Sequence, residues 1–331
     1  MSRERLVWAD ALKGWLIILV VLGHALQHVL GLKCDNNHLW NVIYSFHMPA
    51  FMAVSGYLAY RVGGAKPLFQ TLWRRFRQLM IPFILWTILL LLNKGCLTLE
   101  SVGDYLLFPD KGLWFLWVLF FIAVVFALGN WAADRLHVRQ KLVVAALCLM
   151  FAGTMVVFEI RILGYQFIAY YFIIYSLGYY LHKYYDVIVS SRWIVVIPLF
   201  VLWSFLAWNW QMHNLPSFLQ SLPLPQTLVQ YVYRFVTATL AIYILFAISP
   251  KLLNRSDKWN APFVNMGVLS LGVYTAHFIF LGRLVEMINR VGLKDIWAVV
   301  VSFVAGLLLS WLLAWLLSKW KISATWLLGK I

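Results

Sequence analysis

The chain has 331 residues, of which 63% are hydrophobic and only 12% charged, a balance that excludes an ordinary soluble domain and makes a membrane the solvent. The formal net charge of +15 invites a nucleic-acid reading, but the basic residues cluster between hydrophobic runs. Their expected partners are therefore membrane lipids with anionic headgroups, and any anionic ligand at that surface, with no nucleic acid. Three cysteines without metal-type spacing argue against a zinc site or a disulfide framework, and no metal is expected.

Ten hydrophobic runs approach the roughly 20 residues of a bilayer span. They cover about 14–32, 40–60, 79–93, 113–130, 142–158, 162–182, 193–210, 228–248, 265–288 and 296–319. The fold expected is all-α, a polytopic integral membrane protein with about ten transmembrane helices. The first run follows a charged start like a signal peptide, but has no small-residue cleavage site and is followed directly by further spans, so it reads as a retained helix. The third looks short. Only Glu159 to Arg161 separates the fifth from the sixth, so that pair could form a single re-entrant hairpin, with Glu159 and Arg161 paired across the turn. Counting Lys and Arg in alternating loops assigns about 19 to one side and about 8 to the other, which puts the richer side and both termini in the cytoplasm. No Gly-, Ser- or Pro-rich linker divides the chain, so residues 1–331 read as one membrane-embedded domain with no fused soluble domain.

The first run, WADALKGWLIILVVLGHALQH, holds a basic residue at its mouth, Lys13, and a histidine near mid-depth, His24. Ionisable groups at membrane depth are costly and therefore suspect as functional. Eleven residues are about three turns, which puts both side chains on one face roughly 16 Å apart. Gln27 and His28 continue that face outward. A neutral imidazole there can take the proton of a hydroxyl that attacks an acyl carbonyl; the alternative is an interhelical hydrogen bond that glues spans together. Asp10, at the start of this helix, lies about 21 Å along the axis from His24 and cannot orient it directly.

Next, TLWRRFRQLMIP sets Arg74 and Arg77 three residues apart on one helical face, with Arg75 turned away, just before Pro82. Two guanidinium forks stacked at a cytoplasmic helix end make a phosphate seat. A positive-inside stop signal docked on headgroups accounts for them more simply. In IYSFHMPAFMAVSGYLAYR, Met48 and Pro49 can open or kink the second span near its start, His47 falls near the outer rim, and Ser55 and Tyr57 lie deeper. Gly56 between them allows close approach of a neighbouring backbone. Packing is the simpler account of all of these, and His47 could cap a loop. Trp114 of KGLWFLW falls at an outer boundary where aromatic belts are expected, and SLGVYTAHFIF brings a further membrane histidine, His277. Arg234 and Glu286 are other charges within or beside spans. Cys34 and Cys96, both assigned to outer loops, could pair in an oxidising periplasm, whereas Cys148 lies within a span.

Taken in order, these motifs resemble the membrane acyltransferase family 3, especially its bacterial sugar and polysaccharide O-acetyltransferase branch. The D-x-L-R-G start and the G-H end of the first span are matched by Asp10 to Gly14 and by Gly23-His24, and Lys13 and His24 meet the basic-x10-His spacing. F-H-M-P and S-G-Y fall at Phe46 to Pro49 and Ser55 to Tyr57. R-x-x-R before I-P falls at Arg74 and Arg77, W-F-L at Trp114 to Leu116, and S-x-G-x-Y-x-x-H at Ser270, Gly272, Tyr274 and His277. The resemblance implies a ten-helix enzyme of the bacterial cytoplasmic membrane. Such an enzyme takes an acyl group, usually acetyl, from cytoplasmic acyl-coenzyme A and passes it to a hydroxyl of an extracytoplasmic or lipid-linked glycan. It also implies that His24 is catalytic, that Lys13, Arg74 and Arg77 help hold the donor, and that Gln27, His28, His47, Ser55, Tyr57, Trp114 and His277 support the site or its acceptor side. The family's commoner Arg is Lys13 here, which keeps the charge and loses the bidentate fork. A separate partner is expected for any further transfer beyond the membrane. A transporter or flippase of a lipid-linked sugar is the competing reading. It would favour paired broken helices in two related halves, whereas the polar positions concentrate in the first three spans.

Overall fold

The computed structural model describes residues 6–60, 67–158, 160, 162–254 and 258–330, and all of its regular structure is helical. The pairing expected of Glu159 and Arg161 lies outside the described residues, as do the cations Arg3, Arg5, Arg61, Lys66 and Arg255. In chain order the principal helices are α1 (Val7–Leu30), α2 (His38–Ala59), α3 (Leu68–Asn93), α4 (Trp114–Arg135), α5 (Gln140–Val157) and α6 (Tyr165–Lys183). They continue with α7 (Trp193–Trp208), α8 (Gln226–Leu253), α9 (Ala261–Val268), α10 (Ser270–Arg290), α11 (Asp295–Leu317) and α12 (Lys321–Trp326).

Eight of these, α1 to α5 with α8, α10 and α11, are long and apolar enough to cross a membrane. The chain is an all-α, polytopic membrane protein. The sixth and seventh expected runs are also helices, but α7 has only 16 residues. At 1.5 Å per residue it rises about 24 Å, short of the roughly 30 Å hydrocarbon layer. The fifth and sixth runs are two separate helices, α5 and α6, joined through a 3-10 turn at Ile162–Gly164.

Two compact units emerge, one built from the chain through Val54 and from Leu181–Leu313, the other from Ser55–Tyr180 and from Ala314 onward. The divisions fall inside α2, α6 and α11. In the first unit α1 packs against α8, α9 and α10. Contact with α9 is backbone to backbone: a Cβ on Gly14 would overlap the carbonyl of Phe263, and one on Gly267 the carbonyl of Asp10. Without a hydrophobic difference between lipid and side chain, such close approach at small residues is what draws membrane helices together. Trp15 seals the seam by stacking on Phe263 at 4.1 Å.

In the second unit α3 is not the short span expected from the sequence. It begins at Leu68 and passes through a π-turn at Phe76–Met80, where the N–H of Ile81 bonds the carbonyl of Phe76 five residues back. Pro82 explains the turn. Its ring offers no N–H to the carbonyl of Gln78 and crowds it, so the ladder widens there. The backbone of Gly329 lies against that Gln78 carbonyl, and Trp86 Nε1 donates to Leu327 O at 2.9 Å, docking the segment after α11 onto α3.

Candidate active site

Helix α1 carries Asp10, Lys13, His24, Gln27 and His28 on one continuous element, as the spacing predicts. It starts at Val7, so Lys13 lies within its second turn. Lys13 Nζ meets Asp10 Oδ1 at 2.7 Å, with side chains 22% and 10% exposed. Asp10 is thus the counter-ion of Lys13.

His24 is half-buried, with its ring 5.0 Å from His277, 4.9 Å edge-on from Phe278 and 6.5 Å from Tyr44. α2 and α10 therefore supply the walls of its setting. His28, one turn outward and exposed, and His47 both lie near enough to act on it electrostatically. Gln27 Oε1 accepts from the Tyr44 hydroxyl at 3.0 Å, tying the outer end of α1 to α2. Tyr44 in turn stacks on Trp40 at 4.0 Å.

His47 lies within the regular part of α2. It is the tenth residue of α2, only 2% exposed, and caps no loop: its Nδ1–H donates to Ile43 O at 2.6 Å, and its ring sits 4.8 Å from Tyr44. Pro49 lies inside α2, which continues past it to Ala59.

His277 is fully buried on α10, its Nδ1 facing Val273 O at 3.2 Å. Since a carbonyl can only accept, Nδ1 carries the proton and Nε2 the lone pair. Nε2 is buried and has no hydrogen-bond partner among the described residues.

The remaining candidates belong to the second unit. Arg74 is exposed on α3 and Arg77 half-buried in the π-turn. The wider turn alters the spacing on which their shared face was inferred. Arg75, half-buried where Arg74 is exposed, is turned away from Arg74: its guanidinium meets Gln78 Oε1 at 3.4 Å and acts electrostatically on Tyr175 of α6. Ser55 is half-buried and Tyr57 buried on α2; between them a Cβ on Gly56 would overlap the carbonyl of Tyr175, the close approach expected of that glycine. Trp114 opens α4 and stacks on Phe167 at 4.9 Å and Tyr171 at 5.3 Å.

Other charges have structural partners. Arg234 of α8 donates to Met212 O and lies 5.5 Å over the ring of Trp210, and Glu286 pairs with Arg290 at 2.6 Å. Cys34, Cys96 and Cys148 are free thiols, so the pairing entertained for Cys34 and Cys96 is not made. Among the described residues no group of three or more His, Cys, Asp or Glu is arranged to hold a metal ion.

The family profile described as an acyltransferase domain matches residues 6–315. The chain belongs to this acyltransferase family. Nodulation protein NolL of Sinorhizobium fredii is 35% identical over 164 residues, 44% of this chain and 43% of that protein. NolL of Mesorhizobium japonicum is 36% identical over 120 residues, 34% of this chain and 32% of its own. The matched stretch thus spans less than half the length of these curated relatives. No solved structure matches the chain.

Proposed function

We propose that this chain is an O-acyltransferase that moves an acetyl or other short acyl group from cytoplasmic acyl-coenzyme A to a hydroxyl of an extracytoplasmic or lipid-linked glycan. The observation that carries this reading is the setting of His24, an imidazole deep in α1 of an acyltransferase-family chain, walled by aromatic rings. One ring nitrogen takes the proton of the acceptor hydroxyl as its oxygen attacks the thioester carbonyl carbon. The tetrahedral intermediate then collapses, the C–S bond breaks, and the leaving sulfur takes that proton back from the imidazolium. The products are the ester and free coenzyme A thiol, with His24 restored.

Lys13, roughly 16 Å along the same helix, is a proposed contact of the donor. Arg74 and Arg77 are the proposed phosphate ligands, since guanidinium forks bind phosphate oxygens in pairs. Gln27, His28, His47, Ser55, Tyr57 and Trp114 are proposed supporting or acceptor-side residues. The proposed location is the bacterial cytoplasmic membrane with both termini inside, as the excess of Lys and Arg on one side supports. A transporter would turn over no thioester, so the family assignment favours the enzyme.

The test is His24→Ala in proteoliposomes, following acetylated product from acetyl-coenzyme A. General-base help is worth on the order of 100- to 10,000-fold, so the rate should fall by at least that lower factor. Retention of more than about a tenth of the wild-type rate rules out this role for His24. Donor sealed inside correctly oriented vesicles should acetylate an acceptor supplied outside; transfer only with both substrates on the cytoplasmic side overturns the transmembrane route.

A further inference from the structure

We infer that His277 is the positioning residue of His24: its Nε2 accepts the imidazole N–H that His24 does not use on the substrate, and so fixes the His24 tautomer. This role rests on the assignment of His24 as the general base.

Observations on α1, α2 and α10 lead to it. A histidine base needs a partner at its second nitrogen to hold one tautomer, and a carboxylate is the usual choice. Asp10, the carboxylate of α1, is committed to Lys13 far down the helix. The ring neighbours of His24 are instead Tyr44, Phe278 and His277. Of these, Tyr44 donates its hydroxyl to Gln27, and Phe278 has no polar atom.

His277 is prepared for the task. Donation of Nδ1–H to Val273 O, one turn back on α10, locks its lone pair onto Nε2. That atom is buried, has no hydrogen-bond partner among the described residues, and belongs to a residue with 0% of its surface exposed. Leaving such an acceptor unsatisfied is costly, and its burial leaves no access for solvent water to relieve the cost. The His24 and His277 ring centroids stand 5.0 Å apart with planes tilted by 48°. That is the spacing of two imidazoles set edge to edge with nitrogens about 3 Å apart, the length of a hydrogen bond. The bond requires His24 to turn about its soft second side-chain torsion until an N–H faces His277 Nε2. The opposite nitrogen then presents its lone pair to the acceptor hydroxyl. When His24 becomes an imidazolium, the bond to His277 becomes charge-assisted and strengthens.

The closing experiment has a readout independent of turnover. Protein labelled with nitrogen-15 histidine in nanodiscs, with His24 and His277 assigned by difference against His24→Ala and His277→Gln, should show each ring as a single neutral tautomer. His277 should be protonated at Nδ1. In His277→Leu the His24 signals should pass to a mixture of tautomers, whereas His277→Gln, which keeps an acceptor oxygen, should retain one. Turnover should follow: about tenfold or more lost from kcat in His277→Leu with the donor KM within about twofold, and most of it restored in His277→Gln. Wild-type His277 protonated at Nε2, or a His24 tautomer indifferent to His277→Leu, overturns the inference whether or not the variants are active. Full turnover in His24→Ala would instead refute the assignment of the base, while the nitrogen signals would still report whether the two rings are paired.

Discussion

Asp10 and Lys13 face each other one turn apart in α1 and close an ion pair of 2.7 Å with both side chains largely buried. The basic residue of the first span is therefore a neutralised cation, tied down before any donor arrives. Removing one partner of such a pair strands the other charge at low dielectric, at a cost of about 3–5 kcal/mol, whereas removing both together costs much less. Asp10→Asn and Lys13→Met should each lower the melting temperature in detergent, and the double variant should lose less than the sum of the two. Additive losses would mean that the pair contributes nothing as a pair.

The seam between α1 and α9 makes a second prediction. Gly14→Ala and Gly267→Ala each drive a methyl group into a facing backbone carbonyl, which cannot swing aside as a side chain can. Overpacking of this kind costs about 1–3 kcal/mol or more. Gly153→Ala on α5, where an added methyl meets no atom within 4 Å, should be neutral or slightly stabilising. Thermal unfolding of the three variants in one detergent checks the contrast.

Within α3 the three arginines should separate by phenotype. Arg74→Ala and Arg77→Ala should raise the apparent KM for acetyl-coenzyme A about tenfold or more, as loss of a charge-assisted phosphate contact implies, with little change in kcat. Arg75→Ala, which takes away the contact with Gln78 and the charge beside Tyr175, should instead lower thermal stability. Should Arg75→Ala alone raise the donor KM, the phosphate ligands have been assigned to the wrong guanidinium groups.

Three free thiols predict an order of reaction. Cys96 is exposed, Cys148 half-buried and Cys34 buried. A bulky maleimide should therefore modify Cys96 first, and Cys34 only after denaturation. Mass spectrometry of non-reduced peptides should find no disulfide; a Cys34–Cys96 peptide would contradict the structure.

What the sequence made legible follows one pattern: features set by a single helix could be read, and features set by two could not. The common face of Lys13, His24, Gln27 and His28 depends only on the period of α1, and Gly56 announced a close approach without naming Tyr175. The Asp10–Lys13 pair was within reach, since residues three apart on a helix are neighbours. Whether His47 would cap a loop or lie within a helix was left open, because composition marks the apolar stretch rather than the first turn. His277 meets His24 from 253 positions away, a meeting fixed by the packing of α1 against α10. That Arg75 turns away from the exposed Arg74 follows from the helix period; that it meets Gln78 does not, because the π-turn between them departs from 3.6 residues per turn.

The π-turn at Phe76–Met80 also gives one-residue changes in α3 an unusual meaning. One amino acid more than an α-helical turn requires is accommodated there, and each residue of an α-helix corresponds to about 100° of rotation. Deleting a single residue from the turn would let the ladder close as ordinary α-helix and turn everything from Leu68 to Arg75 by that angle against the rest of α3. Arg75 would leave Gln78 and Tyr175, and a different side chain would take its place. The turn therefore works as an indexing device: the length of this short stretch, more than the identity of any residue in it, selects which of Arg74 and Arg75 faces Gln78 and which faces outward.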